Sequence, residues 1–287
     1  TGLSDNEILV RDWDTNPTYK SYRKGDRLDL GTWGMQCIGM FRSYQDIDEY
    51  FTKYNITSYM GYAKEDVKPG MLIYKDVRGE RQADGTYAAP DGVVSAENDQ
   101  VRLSNRNNPY SMTMNLNAEW KGISLTAQFN ASWGGYSFLP DDAISLGNQG
   151  TSANNYNDLE YANMPSFWNT DNMFVYNDVV DAAGNVVVKA NRNGKYPNLR
   201  WSSVNAQKSS YWRISGTRIK LNRLTLAYRI PSKYTKMLGI ESCRFNVTGQ
   251  NLLSFYNPYP DNFIDPMTIY GNYPTLRKFT IGVNLTF

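Results

Sequence analysis

What chemistry the side chains allow is bounded first by an absence: the 287 residues include no histidine. Triads built on His, His general bases and His metal ligands are therefore excluded. Two cysteines, Cys37 and Cys243, lie far apart, each in a strand-like stretch. They read as unpaired small apolar residues, and a disulfide would need their strands to be neighbours. No catalytic set, no metal-ligating set and no cofactor is implied. What the chain does carry in quantity is the chemistry of contact. Tyrosine is heavy at 22, with 7 Trp and 11 Phe. Rings with polar tips suit sites that are half wet and half apolar.

The elements that must position these groups follow a period of two. In SMTMNLNAEW, Met112, Met114, Leu116, Ala118 and Trp120 alternate with Thr113, Asn115, Asn117 and Glu119. After Lys121-Gly122, ISLTAQFNASW puts Ile123, Leu125, Ala127, Phe129, Ala131 and Trp133 on one face and Ser124, Thr126, Gln128, Asn130 and Ser132 on the other. The pair predicts a hairpin of two long strands with a tight turn. Over Thr217 to Ile230, Leu224, Leu226, Tyr228 and Ile230 share a phase that Ile219 and Leu221 do not, which predicts a bulge near Asn222 or Arg223. SCRFNVTGQNLL and the terminal RKFTIGVNLTF alternate likewise, and LDLGTWGMQCIGMFRS reads as a strand weakened by its glycines. No amphipathic helix of four turns is evident.

Composition narrows the class. The net charge of +2 gives no reason to expect nucleic acid. Hydrophobic content of 41% and a mean hydropathy of -0.57 accompany the absence of any run approaching a transmembrane helix. Thr1 opens mid-pattern with no signal peptide, as expected of a mature piece or a fragment. The connections at Lys121-Gly122 and Pro231 to Glu241 are short, whereas Arg42 to Pro109, Gly134 to Gly216 and Ser254 to Pro274 are long. Long and short connections alternate, so the long ones fall at one end of the strands. The polar faces are mostly uncharged amides and hydroxyls, where a soluble sandwich would show many Lys and Glu. Trp120, Trp133, Tyr228 and Phe287 sit at strand ends. These features predict a transmembrane β-barrel with an apolar lipid face and a polar lumen; a soluble sandwich or barrel is the alternative.

Several stretches resemble the SusC/RagA family of TonB-dependent outer-membrane transporters of Bacteroidetes. They are GMQCIGMFRSYQDIDEY (Gly34 to Tyr50), PGMLIYKDV (Pro69 to Val77), NPYSMTMNLNAEWKGISLTAQFNASWGG (Asn108 to Gly135), YWRISGTRIKLNRLTLAYRIP (Tyr211 to Pro231), FNVTGQNLLSFYNPYPDNF (Phe245 to Phe263) and YPTLRKFTIGVNLTF (Tyr273 to Phe287). The alternation Phe279, Ile281, Val283, Leu285 and Phe287 resembles the signal read by the outer-membrane barrel assembly machinery. The resemblance implies an all-β fold: residues 1–287 are the C-terminal part of one barrel domain of about 22 antiparallel strands with long extracellular loops, the plug and N-terminal regions lying outside this sequence. It also implies that the last strand ends in the periplasm. The family often has an Asp-rich, calcium-like turn after its IKYKD segment. Here that stretch reads YKDVRGERQADG, and Arg78 and Glu80 interrupt the oxygen pattern, so no metal is expected at Asp76.

The function implied is TonB-dependent import of large nutrients, glycans or peptides, across the outer membrane by a multi-pass barrel that is not an enzyme. Its partners would be a SusD-like surface lipoprotein, TonB through the N-terminal part, outer-membrane lipid and the cargo. Asn115, Asn117, Gln128 and Asn130 are the candidates to face the lumen. In the long loops Tyr136, Phe138, Trp168, Trp201, Tyr211, Trp212, Tyr256 and Tyr259 could contact the lipoprotein or stack on sugar rings, although packing of the loops on themselves accounts for at least half of the loop aromatics. Asp141, Asp142, Asp261 and Asp265 read as solvated or paired loop acids. The alternatives are a soluble glycan-binding β-domain, or a barrel enzyme whose site lies on another part of the chain.

Overall fold

A computed structural model describes residues 32–104, 110–144, 165–265 and 275–287. In chain order the strands are β1 (Thr32–Met35), β2 (Cys37–Met40), β3 (Ser58–Tyr59), β4 (Leu72–Tyr74), β5 (Val93–Val94), β6 (Gln100–Ser104), β7 (Tyr110–Trp120), β8 (Ile123–Trp133), β9 (Tyr136–Phe138), β10 (Val179–Val180), β11 (Val186–Val188), β12 (Arg213–Ser215), β13 (Arg218–Ile230), β14 (Ser242–Tyr256) and β15 (Lys278–Thr286). The longest helix is α1 (Tyr44–Tyr54). The fold is predominantly β. The described residues fall into two compact units, one of residues 32–104, 138–144 and 165–213, the other of residues 110–137, 214–265 and 275–287.

The second unit is an antiparallel sheet in the order β7-β8-β13-β14-β15, so every strand lies beside its successor among these five. Lys121 and Gly122 join β7 to β8 with φ of 47° and 85°, the doubly positive geometry of a two-residue turn whose twist matches that of the strands. Gly122 is required twice over there, because a Cβ would also lie 2.9 Å from the carbonyl oxygen of Arg229. The register of β13 slips between Leu221 and Arg223 on both of its neighbours, which puts the expected bulge at Asn222. Residues 231–241 join β13 to β14 through two short helical turns.

The first unit is built differently. Its strands are short and pair in twos, β1 with β6, β2 with β4, β3 with β5 and β10 with β11. The single strand expected over LDLGTWGMQCIGMFRS is instead β1 and β2, broken at Gln36, with residues 28–31 outside the described ones. The three-turn helix α1 starts at Ser43, whose hydroxyl accepts the Asp46 amide at 3.1 Å, and ends at Asn55 in the left-handed region. Ile47, Tyr50 and Phe51 are its buried stripe. They join a core of large side chains, including Phe41, Tyr59, Met71, Leu72, Tyr74, Phe167, Phe174 and Trp212.

That core is tied by polar atoms that reach backbone carbonyls, as burial requires. The Tyr50 hydroxyl donates to Tyr74 O at 2.5 Å, Tyr59 to Leu72 O at 2.5 Å, and Tyr74 to Val204 O at 2.8 Å. Asn205, only 2% exposed, accepts the Leu72 amide at 2.8 Å and donates to Gly70 O at 2.9 Å and Asn198 O at 2.8 Å. Burial pushes the Tyr59 and Tyr74 phenols up, so both stay neutral donors. The described residues of the first two long connections are therefore packed, hydrogen-bonded structure rather than open loop. Cys37 and Cys243 are both free thiols, as their sequence setting suggested.

Candidate functional site: a two-faced β-wall

Residues directly opposite one another in a sheet point to the same side, so the register sorts the side chains of the five strands into two faces. One face is apolar in successive rows. Trp120, Ile123, Tyr228, Phe245 and Val283 form one row across the strands, and Ala118, Leu125, Leu226, Val247 and Ile281 the next. Leu116, Ala127, Leu224, Gly249 and Phe279 follow, then Met114, Phe129, Leu221 and Leu253. The bulge at Asn222 is what keeps Leu221 and Ile219 in these rows despite their opposite sequence phase.

The GQNLL stretch performs the same correction on β14. Asn251 takes φ 54°, and its side-chain amide donates to Leu276 O at 3.0 Å. A Cβ on Gly249 would meet Cδ2 of Leu252 at 2.6 Å, so Leu252 fills the notch that the glycine leaves in the apolar row. Leu253 then falls opposite Leu221, and Phe255 stacks on Phe129 with ring centroids 6.1 Å apart. Gly249, Asn251 and the two leucines together keep one apolar surface continuous past a break in register.

Among the described residues of this unit, nothing covers the second row of that surface. Leu125, Leu226, Val247 and Ile281, all in one row, are 41%, 51%, 46% and 77% exposed. In a water-soluble sheet these positions would be core, and contiguous apolar patches of this kind mark contact with another apolar phase. The two ends of the face carry aromatic groups. At the hairpin end Trp120 is 66% exposed, with the Lys121 ammonium 4.8 Å over its ring. At the far end Tyr110 stacks on Trp133 at 6.1 Å.

The opposite face is polar and almost free of acid. Asn117, Thr126, Thr225, Thr248 and Thr280 form one row, in which the Thr225 and Thr248 hydroxyls lie 3.0 Å apart. Asn115, Gln128, Arg223, Gln250 and Lys278 form the next. Asn130 lies between Thr113 and Lys220 in a third. The four polar candidates, Asn115, Asn117, Gln128 and Asn130, thus share one face. Sequence reasoning did not single out Lys220, which lies on it with its side chain 6% exposed. Its ammonium meets the Asp265 carboxylate at 2.5 Å. Lys220 stands in an apolar alternation, and the bulge that turns it to this side is its only local signal. Asp265 is accordingly one of the paired loop acids, and Asp142 is a residue whose side chain is not described.

Among residues of the terminal alternation, Phe279, Ile281, Val283 and Leu285 lie in the apolar rows of β15, and Phe287 follows at 84% exposure. The aromatic candidates separate by environment. Tyr136 and Tyr256 are 43% and 44% exposed, and Tyr259 packs edge-on against Phe263. In the first unit Trp212 is 2% exposed, stacked on Tyr196 at 6.3 Å and donating to Asn205 O at 2.6 Å. Trp168 packs beside it and donates to Ala143 O at 2.7 Å. Tyr211 is half-buried, its hydroxyl bonded to Lys195 O. Trp201 lies beneath the Arg200 guanidinium, and Phe138 is half-buried. Trp168 and Trp212 are internal packing. Tyr136 and Tyr256 are the most exposed of the eight.

Asp76 serves the loop backbone: its Oδ2 accepts the Gly92 amide at 2.7 Å. Burial, with Asp99 and Asp91 nearby, raises its carboxyl above the ordinary 3.8, against the lowering effect of that amide. Asp99 accepts the amides of Val77, Arg78 and Ser95. Among the described residues no group of three or more Cys, Asp or Glu side chains is arranged to hold a metal ion. No described helix is long and apolar enough to cross a membrane.

No family model matches the chain. It is similar to TonB-dependent receptor P3 of Formosa agariphila, 34% identical over 86 residues that cover 25% of this chain and 8% of that receptor. Among solved structures it is similar to the RagAB peptide importer in its open-open state, at 18% identity and a TM-score of 0.49 over 90% of this chain and 22% of that one. A second RagAB peptide transporter structure gives 18% identity and a TM-score of 0.48 over 93% and 24%. The chain thus spans less than a quarter of the length of the solved chains it matches. The motifs in its strands resemble those of SusC/RagA-type TonB-dependent transporters, and over 86 residues the chain is similar to a curated TonB-dependent receptor.

Proposed function

We propose that the chain supplies the C-terminal wall and extracellular loops of an outer-membrane β-barrel, of about 22 strands in the full protein. The full protein imports large nutrients, glycans or peptides, in a TonB-dependent manner and acts as the barrel partner of a SusD-like surface lipoprotein. The observation that carries this reading is the inverted sheet, apolar where it is uncovered and lined with Thr, Asn and Gln on the other side. Lipid would cover the first face and a hydrated lumen the second. The dimensions agree. β7 has 11 residues, and ten steps of roughly 3.4 Å at a tilt near 45° span roughly 24 Å, against an apolar band of about 25 Å. Among the described residues β7 and β15 each pair on one side only, so each has an edge for a further strand of a closed barrel.

On this reading Asn115, Asn117, Gln128 and Asn130 line the cargo path, and Tyr136 and Tyr256 are the aromatic positions best placed to meet lipoprotein or cargo. The test is growth of the source cell on a single oligomeric nutrient, glycan or peptide. A strain lacking the full protein should lose growth on one such class, regain it from a wild-type copy, and lose it again when TonB is absent. Growth unaffected on every oligomer tested would remove the import reading. Capture of the full protein from outer membranes should bring a surface lipoprotein with it.

A further inference from the structure

The connection between β13 and β14 reads PSKYTKMLGIE over residues 231–241. Ser232–Thr235 form an α-turn and Lys236–Leu238 a 3-10 turn, stopped by Gly239 at φ 70°. At positions i, i+3 and i+4, Tyr234, Met237 and Leu238 share one face. They are 61%, 85% and 76% exposed, and Met237 is the most exposed large apolar side chain among the described residues. Thr235 is turned inward at 4% exposure, and its carbonyl holds the Ile240 amide at 3.1 Å. The fold therefore fixes this segment with its apolar stripe projecting, flanked by Lys233 and Lys236.

Two features say what meets the stripe. It follows directly along the chain from the apolar face of the wall: Ile230, the last residue of β13, is in phase with Leu226 and Tyr228, and Trp120 stands at the same end of the sheet. The charge beside the stripe is mostly basic. Lys233 and Lys236 border it, and Lys121, beside Trp120, lines one cleft with Arg229, Ser232, Ser242 and a single acid, Glu241. Apolar and aromatic side chains bordered by lysines are the composition of a segment lying at the boundary between lipid headgroups and acyl chains. We propose that residues 231–241 are a membrane foot. Tyr234, Met237 and Leu238 enter the phospholipid leaflet at the short-turn end of the wall, and Lys233, Lys236 and Lys121 meet the phosphates of anionic lipid. The foot rests on the barrel reading.

The test uses the full-length protein in nanodiscs, with Cys37 and Cys243 replaced by Ala. A nitroxide is placed singly by Met237→Cys, by Leu125→Cys as a wall reference, and by Asp84→Cys as a water reference. Accessibility to oxygen relative to a water-soluble nickel chelate is read in phosphatidylcholine alone and with added phosphatidylglycerol. The foot predicts a lipid-like ratio at Met237 that rises with phosphatidylglycerol, and loss of that rise in Lys233→Gln/Lys236→Gln. The two lysines should together contribute roughly 30-fold in the segment's preference for the anionic leaflet. A water-like ratio at Met237 in both lipids, with Leu125 still lipid-like, overturns the foot and leaves the wall standing. Shielding of Met237 from both reagents means that protein covers it, and also overturns the foot. A water-like Leu125 removes the wall itself, and the foot with it.

Discussion

An arginine series down the apolar face of β13 turns the proposed membrane depth into energies. Leu224 lies in the row with Leu116 and Ala127, near the middle of the 11-residue strands β7 and β8. Leu226 is one row nearer the hairpin end, and Tyr228 is in the row of Trp120, at the expected interface. A buried arginine on a lipid-facing position costs about 2–4 kcal/mol at the midplane and about 0–1 kcal/mol near the interfaces. Leu224→Arg should therefore weaken folding into a bilayer by roughly 30- to 700-fold, Leu226→Arg by less, and Tyr228→Arg by about fivefold or less on the same scale. Leu125, in the row of Leu226, belongs to the intermediate depth, so Leu125→Arg should cost less than Leu224→Arg. Asn117→Arg on the polar face should stay within about 0.5 kcal/mol of wild type. The assay is urea-dependent folding of the full-length protein into lipid vesicles, followed by the shift between folded and unfolded bands on unheated gels. Equal costs for Leu224→Arg and Asn117→Arg, or no gradient from Leu224 to Tyr228, would refute the face assignment.

Three further outcomes follow from particular contacts. Deleting Phe287, or Phe287→Lys, is expected to block barrel assembly and leave the protein degraded in the periplasm; normal outer-membrane levels of the deletion would contradict this. Asn205→Ala leaves the buried Leu72 amide and the carbonyls of Gly70 and Asn198 without their partner, and should cost the first unit about 2–4 kcal/mol, read as faster limited proteolysis of residues 165–213. Asp76 has a carboxyl pKa raised in the folded state, chiefly by burial, so the folded form holds more protons than the unfolded one just above pH 3.8. Its contribution is therefore present below that pH and falls as pH rises through the raised value. Asp76→Asn keeps an acceptor for the Gly92 amide and should remove that fall, flattening the loss of urea stability between acid and neutral pH; an unchanged pH profile would show that Asp76 is not the group responsible.

The wall was legible in the sequence because period-2 alternation is a local signal and each strand carries it whole. Even the bulge could be placed, near Asn222 or Arg223, since Leu221 and Leu224 are in opposite phase and only an extra residue returns both to one face. The GQNLL stretch was legible as a resemblance, but its work, Asn251 turning left-handed so that Leu252 fills the notch at Gly249, is visible only once β13 and β15 lie on either side. The first unit was far less legible. Its core joins Tyr59 and Tyr74 to Val204, Asn205 and Trp212 across more than a hundred residues, and none of those contacts leaves a periodic trace. The SYQDIDEYFTKY stretch hid α1, because its buried stripe is only Ile47, Tyr50 and Phe51 among polar neighbours. Among the aromatic candidates, composition could not separate Trp212, which packs inside, from the more exposed Tyr136 and Tyr256.

The most direct measurement is a cysteine scan along β8 in the full-length protein, lacking Cys37 and Cys243, in outer membranes. Each position from Ile123 to Trp133 is challenged with a membrane-impermeant maleimide small enough to enter a hydrated lumen. A wall between lipid and lumen predicts reaction at Ser124, Thr126, Gln128, Asn130 and Ser132, and protection at Ile123, Leu125, Ala127, Phe129 and Ala131. Reaction at both sets alike, or protein recovered in buffer without detergent, would contradict it and make the sheet part of a soluble β-protein.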